Sequence, residues 1–173
     1  MIFFKGKRQI IIIVAGILCI SLFFGYIQLY SSYDLDDKYE NVSRLKQYEN
    51  RDIIRVYKAL NTINENEEIV QIVRVKGYKG TIKLITSIDM DLDEVTDIQI
   101  LSHNETEAYG GYITEEWFLD RFNNKNADRQ LKTVKIIAER PNEIVAVTGA
   151  TISSEAVVNG VNLSLANYMK MNK

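Results

Sequence analysis

The chain has 173 residues, with 21 basic and 23 acidic side chains, a formal net charge of -2 and 46% hydrophobic residues. That length holds one ordinary domain plus an appendage, and the composition excludes a disordered chain. Three of the 21 basic residues, Lys5, Lys7 and Arg8, precede Asp34, which leaves 18 basic against 23 acidic residues; an acidic remainder with no basic stripe along the sequence argues against nucleic acid as a partner.

No charged residue occurs from Gln9 to Tyr33, and Ile10 to Leu29 is almost wholly apolar. At about 1.5 Å per residue such a run matches the roughly 30 Å of bilayer hydrocarbon, so residues 9–33 are predicted to be a transmembrane anchor. The basic tail, residues 1–8, then lies in the cytoplasm and the domain outside the cell membrane, with Tyr26, Tyr30 and Tyr33 at the outer interface. The run is longer than a signal-peptide core, no small-x-small site follows it, and Leu18 stands where lipoprotein cleavage before Cys19 wants a small residue. Cys19 is the sole cysteine, so the exposed domain has no disulfide, thiol nucleophile or thiolate metal site.

Beyond the anchor, Leu35, Tyr39 and Val42, then Ile53, Ile54, Tyr57, Leu60 and Ile63, are spaced as on helices. They predict a helical connector over 34–68 that ends in a loop, Asn64 to Glu68. The domain proper is then 69–173. Ile69 to Lys76 and Thr81 to Asp89 are β-rich runs around Gly77-Tyr78-Lys79-Gly80, a hairpin signal, and Val95 to Ser102 predicts a third strand. Between them, Asp89 to Asp93 hints at a calcium loop, but Glu94 replaces the glycine at position six and Ile100 the glutamate at position twelve, so a plain turn is the expectation.

The next stretch, His103-Asn104-Glu105-Thr106-Glu107-Ala108-Tyr109-Gly110-Gly111, carries the sole histidine and two glycines, followed by Trp117, Phe118 and Phe122. No second histidine and no serine or cysteine nucleophile pattern pairs with His103. Glycines let backbone approach a flat ring, and Tyr109 or Trp117 could pack on one, although Trp117 is expected in the core. A polar loop over Asn123 to Gln130, a strand from Thr133 to Glu139 and a turn at Arg140-Pro141-Asn142 come next.

The chain is organised around Val147-Thr148-Gly149-Ala150-Thr151-Ile152-Ser153-Ser154. Glu143 to Val147 reads as a strand, and from Ser153 to about Lys170 the apolar residues Val157, Val161, Leu165 and Tyr168 mark one face of a helix, with Ser153 or Ser154 as its N-cap. A strand, a glycine turn and a helix N-terminus present unpaired N–H groups and partial positive charge, which suits a phosphate, and Thr151 places a hydroxyl there.

Thr148-Gly149-Ala150-Thr151 followed by Ser153 resembles the flavinylation motif of the FMN-binding domains, found in the G subunit of Rnf-type ferredoxin:NAD oxidoreductases and the C subunit of sodium-translocating NADH:quinone oxidoreductases. Glu105, Thr106 and Gly110 also match that family's Glu-Thr-Pro-Gly-Leu-Gly loop, with Glu107, Ala108 and Tyr109 in place of its middle. The resemblance implies covalent FMN, joined to Thr151 by a phosphodiester that a separate flavin transferase installs. The cofactor would lie between the Glu105 to Gly111 loop and the Thr148 to Ser154 turn, with Thr148, Gly149, Ala150, Ser153, Glu105, Thr106 and Gly110 as neighbours. It further implies an electron carrier among other membrane subunits of an ion-translocating redox complex. Val145 stands where the family usually has an aspartate. That departure and the altered loop favour a rival reading, a flavin-free membrane-anchored binding or assembly module. A third reading is a stand-alone extracytoplasmic flavin carrier, and the sequence does not choose between it and a pump subunit. The fold expected in every case is α+β, a twisted, mainly antiparallel sheet with packed helices after one N-terminal transmembrane helix.

Overall fold

The computed structural model describes residue 35 and residues 38–171. The chain divides into two units, 1–37 and 38–173, and the predicted basic tail and anchor fall in the first, outside the described residues. Among the described residues no helix is long and apolar enough to cross a membrane.

Six strands form one antiparallel sheet in chain order: β1 (Tyr39–Arg44), β2 (Ile53–Asn61), β3 (Glu67–Lys76), β4 (Thr81–Asp89), β5 (Glu94–Ser102) and β6 (Lys125–Asn126). The expected hairpin is β3–β4, closed by the Gly77 N–H donating to the Gly80 carbonyl at 2.7 Å. A short helix, α1 (Glu116–Leu119), follows the loop after β5, and a parallel pair, β7 (Lys132–Val134) with β8 (Glu143–Val145), precedes the long helix α2 (Thr151–Met171). A mainly antiparallel sheet with packed helices is thus the α+β architecture expected.

Helix α2 buries the predicted stripe. Val157, Val161, Leu165 and Tyr168 are at most 3% exposed and share one core with Ile69 and Val73 of β3 and Leu84 and Ile88 of β4. Full burial of each such side chain contributes about 1.5–3 kcal/mol. Gly160 brings helix and sheet close: a Cβ there would lie 2.6 Å from Leu84 Cδ2. Polar atoms in this interface are paired, Gln71 Nε2 donating to the Ser164 carbonyl at 2.9 Å and Thr86 Oγ1 to Ser164 Oγ at 2.8 Å.

The helical connector over 34–68 is corrected to two strands, β1 and β2, plus the opening of β3. A break in the β2–β3 register between Ile53 and Arg55 explains the helix-like spacing. The bulge turns Ile53 and Val56, three apart, to the same face, while Ala59 and Asn61 are buried on the other. That second face also buries Tyr39, whose hydroxyl donates to Glu68 Oε2 at 2.9 Å and meets Ser87 Oγ at 2.8 Å.

Other corrections are local. The strand expected over Thr133 to Glu139 is only Lys132–Val134, because the ladder to β8 ends at Val145; Ile136 and Ile137 are exposed. Trp117 is 47% exposed rather than in the core, since α1 and the 3-10 turn after it, Asp120–Phe122, direct Phe118 and Phe122 inward, edge to face at 5.5 Å. The acidic turn is organised by Asp89, which accepts the N–H groups of Asp91 at 2.8 Å and Leu92 at 2.9 Å.

The meander gives the sheet two distinct ends. One carries Tyr39↔Asn61, Glu68↔Asp89 and Asp89↔Glu94; the other carries Arg44↔Tyr57, Lys76↔Thr81 and Lys83↔Ser102. Helix α2 runs from the second end to the first, where the Tyr168 hydroxyl donates to Asp93.

Candidate functional site

At the second end, three segments far apart in sequence enclose a cavity of about 560 Å³. Tyr78 comes from the β3–β4 turn, Thr106, Tyr109 and Gly110 from the loop after β5, and Gly149 to Ser153 from the turn into α2.

Glu105 holds these segments together. Only 6% exposed, its carboxylate accepts the backbone N–H groups of Tyr78 at 3.1 Å, Lys79 at 3.0 Å and Gly80 at 3.4 Å, and the hydroxyl of Ser153. Burial by itself would raise this carboxyl; the Ser153 hydroxyl and the turn's N–H groups outweigh it and hold Glu105 below the ordinary carboxylate value. The approach needs Gly110, where a Cβ would lie 2.8 Å from both Glu105 Cβ and Ser153 Oγ. His103 serves the same loop, its Nδ1 accepting the Glu105 N–H at 3.1 Å, and the Thr106 carbonyl accepts the N–H groups of Tyr109 and Gly111.

The turn into the helix is equally constrained. Gly149 has φ +78°, and a Cβ there would lie 2.9 Å from the Tyr109 ring, so both conformation and space call for glycine. The helix begins at Thr151, which corrects the expectation that Ser153 or Ser154 is the N-cap. Ser154 instead staples the turn, its Oγ accepting the Val147 N–H and donating to the Ala150 carbonyl, each at 3.0 Å. The first helical hydrogen bond runs from Ser154 N–H to the Ala150 carbonyl, so the N–H groups of Thr151, Ile152 and Ser153 stand at the head of the helix with no backbone acceptor among the described residues.

Four hydroxyls cluster here and their roles differ. Those of Ser153 and Ser154 are engaged. Those of Thr148 and Thr151 form no hydrogen bond among the described residues, and of the two only Thr151 lines the cavity with Gly110 and Tyr109. Thr148 opens on a neighbouring cavity of about 590 Å³ beside Trp117 and Arg121, whose guanidinium lies 4.9 Å from the Trp117 ring centre. Val145 lies in β8 at that cavity's wall, its carbonyl accepting from Arg121.

Of the residues expected at the site, Thr106, Gly110, Gly149, Ala150, Thr151 and Ser153 line this cavity, while Glu105 lies behind its wall and Thr148 on the neighbouring cavity. Tyr109, expected as a residue that could pack on a ring, lines the cavity and is 56% exposed, whereas Tyr78 and Ile152, 65% and 54% exposed, line it without having been expected there. An aromatic inside a Gly-Tyr-Lys-Gly turn was the available signal for Tyr78. N–H groups without backbone acceptors at a helix head, which suit a phosphate, a hydroxyl on the cavity wall and exposed aromatic and apolar walls fit a phosphorylated planar ring such as FMN, and the volume lies in the usual range for ligand sites.

A fold with this turn at the head of its long helix, and this loop facing it, defines a flavin-binding class of domain. The FMN-binding domain model matches residues 77–166, and the chain belongs to that family. It is 40% identical over 98 residues to the G subunit of the Na(+)-translocating ferredoxin:NAD(+) oxidoreductase complex of Acetobacterium woodii, covering 56% of this chain and 46% of that protein. It is 43% identical over 86 residues to the G subunit of the proton-translocating ferredoxin:NAD(+) oxidoreductase complex of Clostridium ljungdahlii, covering 50% and 45%. The chain thus spans about half the length of the curated relatives it matches. Among solved structures, it shares its fold with the C subunit of the Na(+)-translocating NADH-quinone reductase from Parabacteroides distasonis, with a TM-score of 0.58 at 19% identity over 67% of this chain and 62% of that one. It likewise shares its fold with NqrC from Shewanella oneidensis, with a TM-score of 0.55 at 18% identity over 78% and 69%.

Proposed function

We propose that this chain is a membrane-anchored electron carrier that holds FMN covalently on Thr151 and works within an ion-translocating ferredoxin:NAD oxidoreductase complex. Family membership and the names of the G-subunit relatives support a flavin carrier in such a complex. The observation that carries the covalent site is the division of hydroxyls: Ser153 and Ser154 are committed to the fold, whereas Thr151 faces the cavity uncommitted among the described residues.

Bound FMN supplies the redox chemistry. The chain's own residues bind and orient. N–H groups at the head of α2 and the helix dipole take the phosphate charge, Gly149 and Ala150 leave the Thr151 hydroxyl accessible, and Tyr78, Tyr109 and Ile152 limit water at the ring. A flavin transferase performs the attachment, residues 9–33 anchor the protein, and the domain faces outward, where a covalent tether prevents cofactor loss.

Val145 and the Glu107 to Tyr109 segment support the rival reading of a flavin-free binding or assembly module, and the same fold serves a stand-alone extracytoplasmic carrier. Co-expression with a flavin transferase separates these. The carrier reading expects a yellow protein whose intact mass includes one FMN and whose Thr151→Ala variant is colourless. A wild-type chain that stays unmodified beside an active transferase supports the binding module.

A further inference from the structure

A third cavity, of about 700 Å³, lies at the same end of the sheet, walled by Arg51, Arg74, Lys76 and Lys83 together with Asp52 and residues of α2. Its four cations are exposed, and among the described residues none of them forms an ion pair. Arg74 is fixed in place, its Nε donating to the Arg51 carbonyl at 2.7 Å. These residues are dispersed in sequence, so the absence of a basic stripe along the chain is corrected by the fold: β2, β3 and β4 bring them together.

The two ends of the sheet differ in charge, although Glu49, Asp52 and Glu155 also lie at the cationic end. Glu67, Glu68, Asp89, Asp91, Asp93 and Glu94 sit at the end where β1 begins, and the cationic cleft sits at the opposite end. Helix α2 reinforces this polarity, its positive N-terminus at the cationic end. Cations kept together and unpaired on an otherwise acidic domain create a positive field at one end of it. That end is also the redox end. Lys76 and Thr81 flank the turn that carries Tyr78, and Asn159, on the cleft wall, is about 9 Å along the helix from Ser153.

We infer that this cleft is the docking surface for the acidic face of a protein that exchanges electrons with the flavin, an inference that rests on the carrier reading above. The cleft opens at the end of the sheet opposite Tyr39, and its cations call for an acidic partner. Its apolar lining is Val75, Ala156 and Leu163, with no aromatic ring for a nucleic-acid base to stack on.

The test uses the full chain in nanodiscs and an acidic [2Fe–2S] ferredoxin as the probe, which gives up one electron that the bound flavin takes up. The rate of flavin reduction by this carrier should fall about tenfold between low and physiological salt. Lys76→Glu/Lys83→Glu should lower the low-salt rate by a similar factor while leaving reduction by a photoreduced neutral deazaflavin unchanged. Arg129→Glu/Lys170→Glu, the same charge change elsewhere on the surface, should leave both rates near wild type. A wild-type rate independent of salt, or equal losses in the two double variants, would overturn the inference. Binding of the same carrier to the Thr151→Ala chain, followed by calorimetry, keeps the two claims separate. Salt-sensitive binding that the cleft variant abolishes upholds the docking surface even where the chain carries no flavin; absent or cleft-independent binding refutes it whether or not flavin is attached.

Discussion

The carboxylate of Glu105 accepts the hydroxyl of Ser153, 48 positions later in the chain, and so ties the loop after β5 to the first turn of α2. The same carboxylate holds the N–H groups of the β3–β4 turn, so one buried side chain fixes all three walls of the cavity.

Glu105→Gln keeps the shape and removes the charge. It should cost about 1–3 kcal/mol, read as a lower denaturation midpoint at neutral pH. Because the folded Glu105 carboxyl sits below its ordinary value, its contribution is complete above that value, near pH 4.3, and is lost as pH falls through the folded one. Stability measured from pH 7 down to pH 3 should therefore fall less steeply in the variant. Parallel acid limbs would show that the charge of Glu105 contributes nothing.

Gly149→Ala adds a Cβ at positive φ and against the Tyr109 ring, and Gly110→Ala drives one between Glu105 and Ser153. Each should cost about 1–3 kcal/mol and shift the absorption bands of bound flavin. Wild-type spectra in both variants would mean that neither contact shapes the ring's surroundings.

Gly160→Ala tests the helix–sheet contact away from the site. Alone it should destabilise by about 1–3 kcal/mol through overpacking on Leu84, and Leu84→Ala alone by about 2–5 kcal/mol through cavity formation. The double variant should be more stable than the two losses together imply, because each change relieves the other. Simple additivity in a double-mutant cycle would place the clash elsewhere.

Much of the fold was legible because its signals are local. The β3–β4 hairpin follows from alternating β-formers around Gly77 to Gly80, and α2 from the spacing of Val157, Val161, Leu165 and Tyr168. The β2 strand was not, since its bulge at Ile53 spaces buried residues by three, as a helix does. The site showed the same divide. Its two glycine-bearing stretches stand out in sequence, but the use of Glu105 and Ser153 depends on a bond across 48 residues that no local pattern contains. Ser153 and Ser154 resemble N-caps only until the helix is seen to begin at Thr151.

The proposed anchor and orientation make their own prediction. Protease added to right-side-out vesicles should digest the domain from about Asp34 onward and leave a short membrane fragment. A protected domain, or a soluble form released without protease, would contradict the anchored outward topology.

The central claim is that Thr151 carries FMN, and peptide mass mapping after co-expression with a flavin transferase tests it most directly. The FMN mass should lie on Thr151, vanish in Thr151→Ala and persist in part in Thr151→Ser, where a hydroxyl remains. Thr148→Ala should leave the acceptor intact and lower only the extent of attachment, since Thr148 opens on the neighbouring cavity. FMN mapped to Ser153, Ser154 or Thr148, or a wild-type chain without FMN beside an active transferase, would contradict the account.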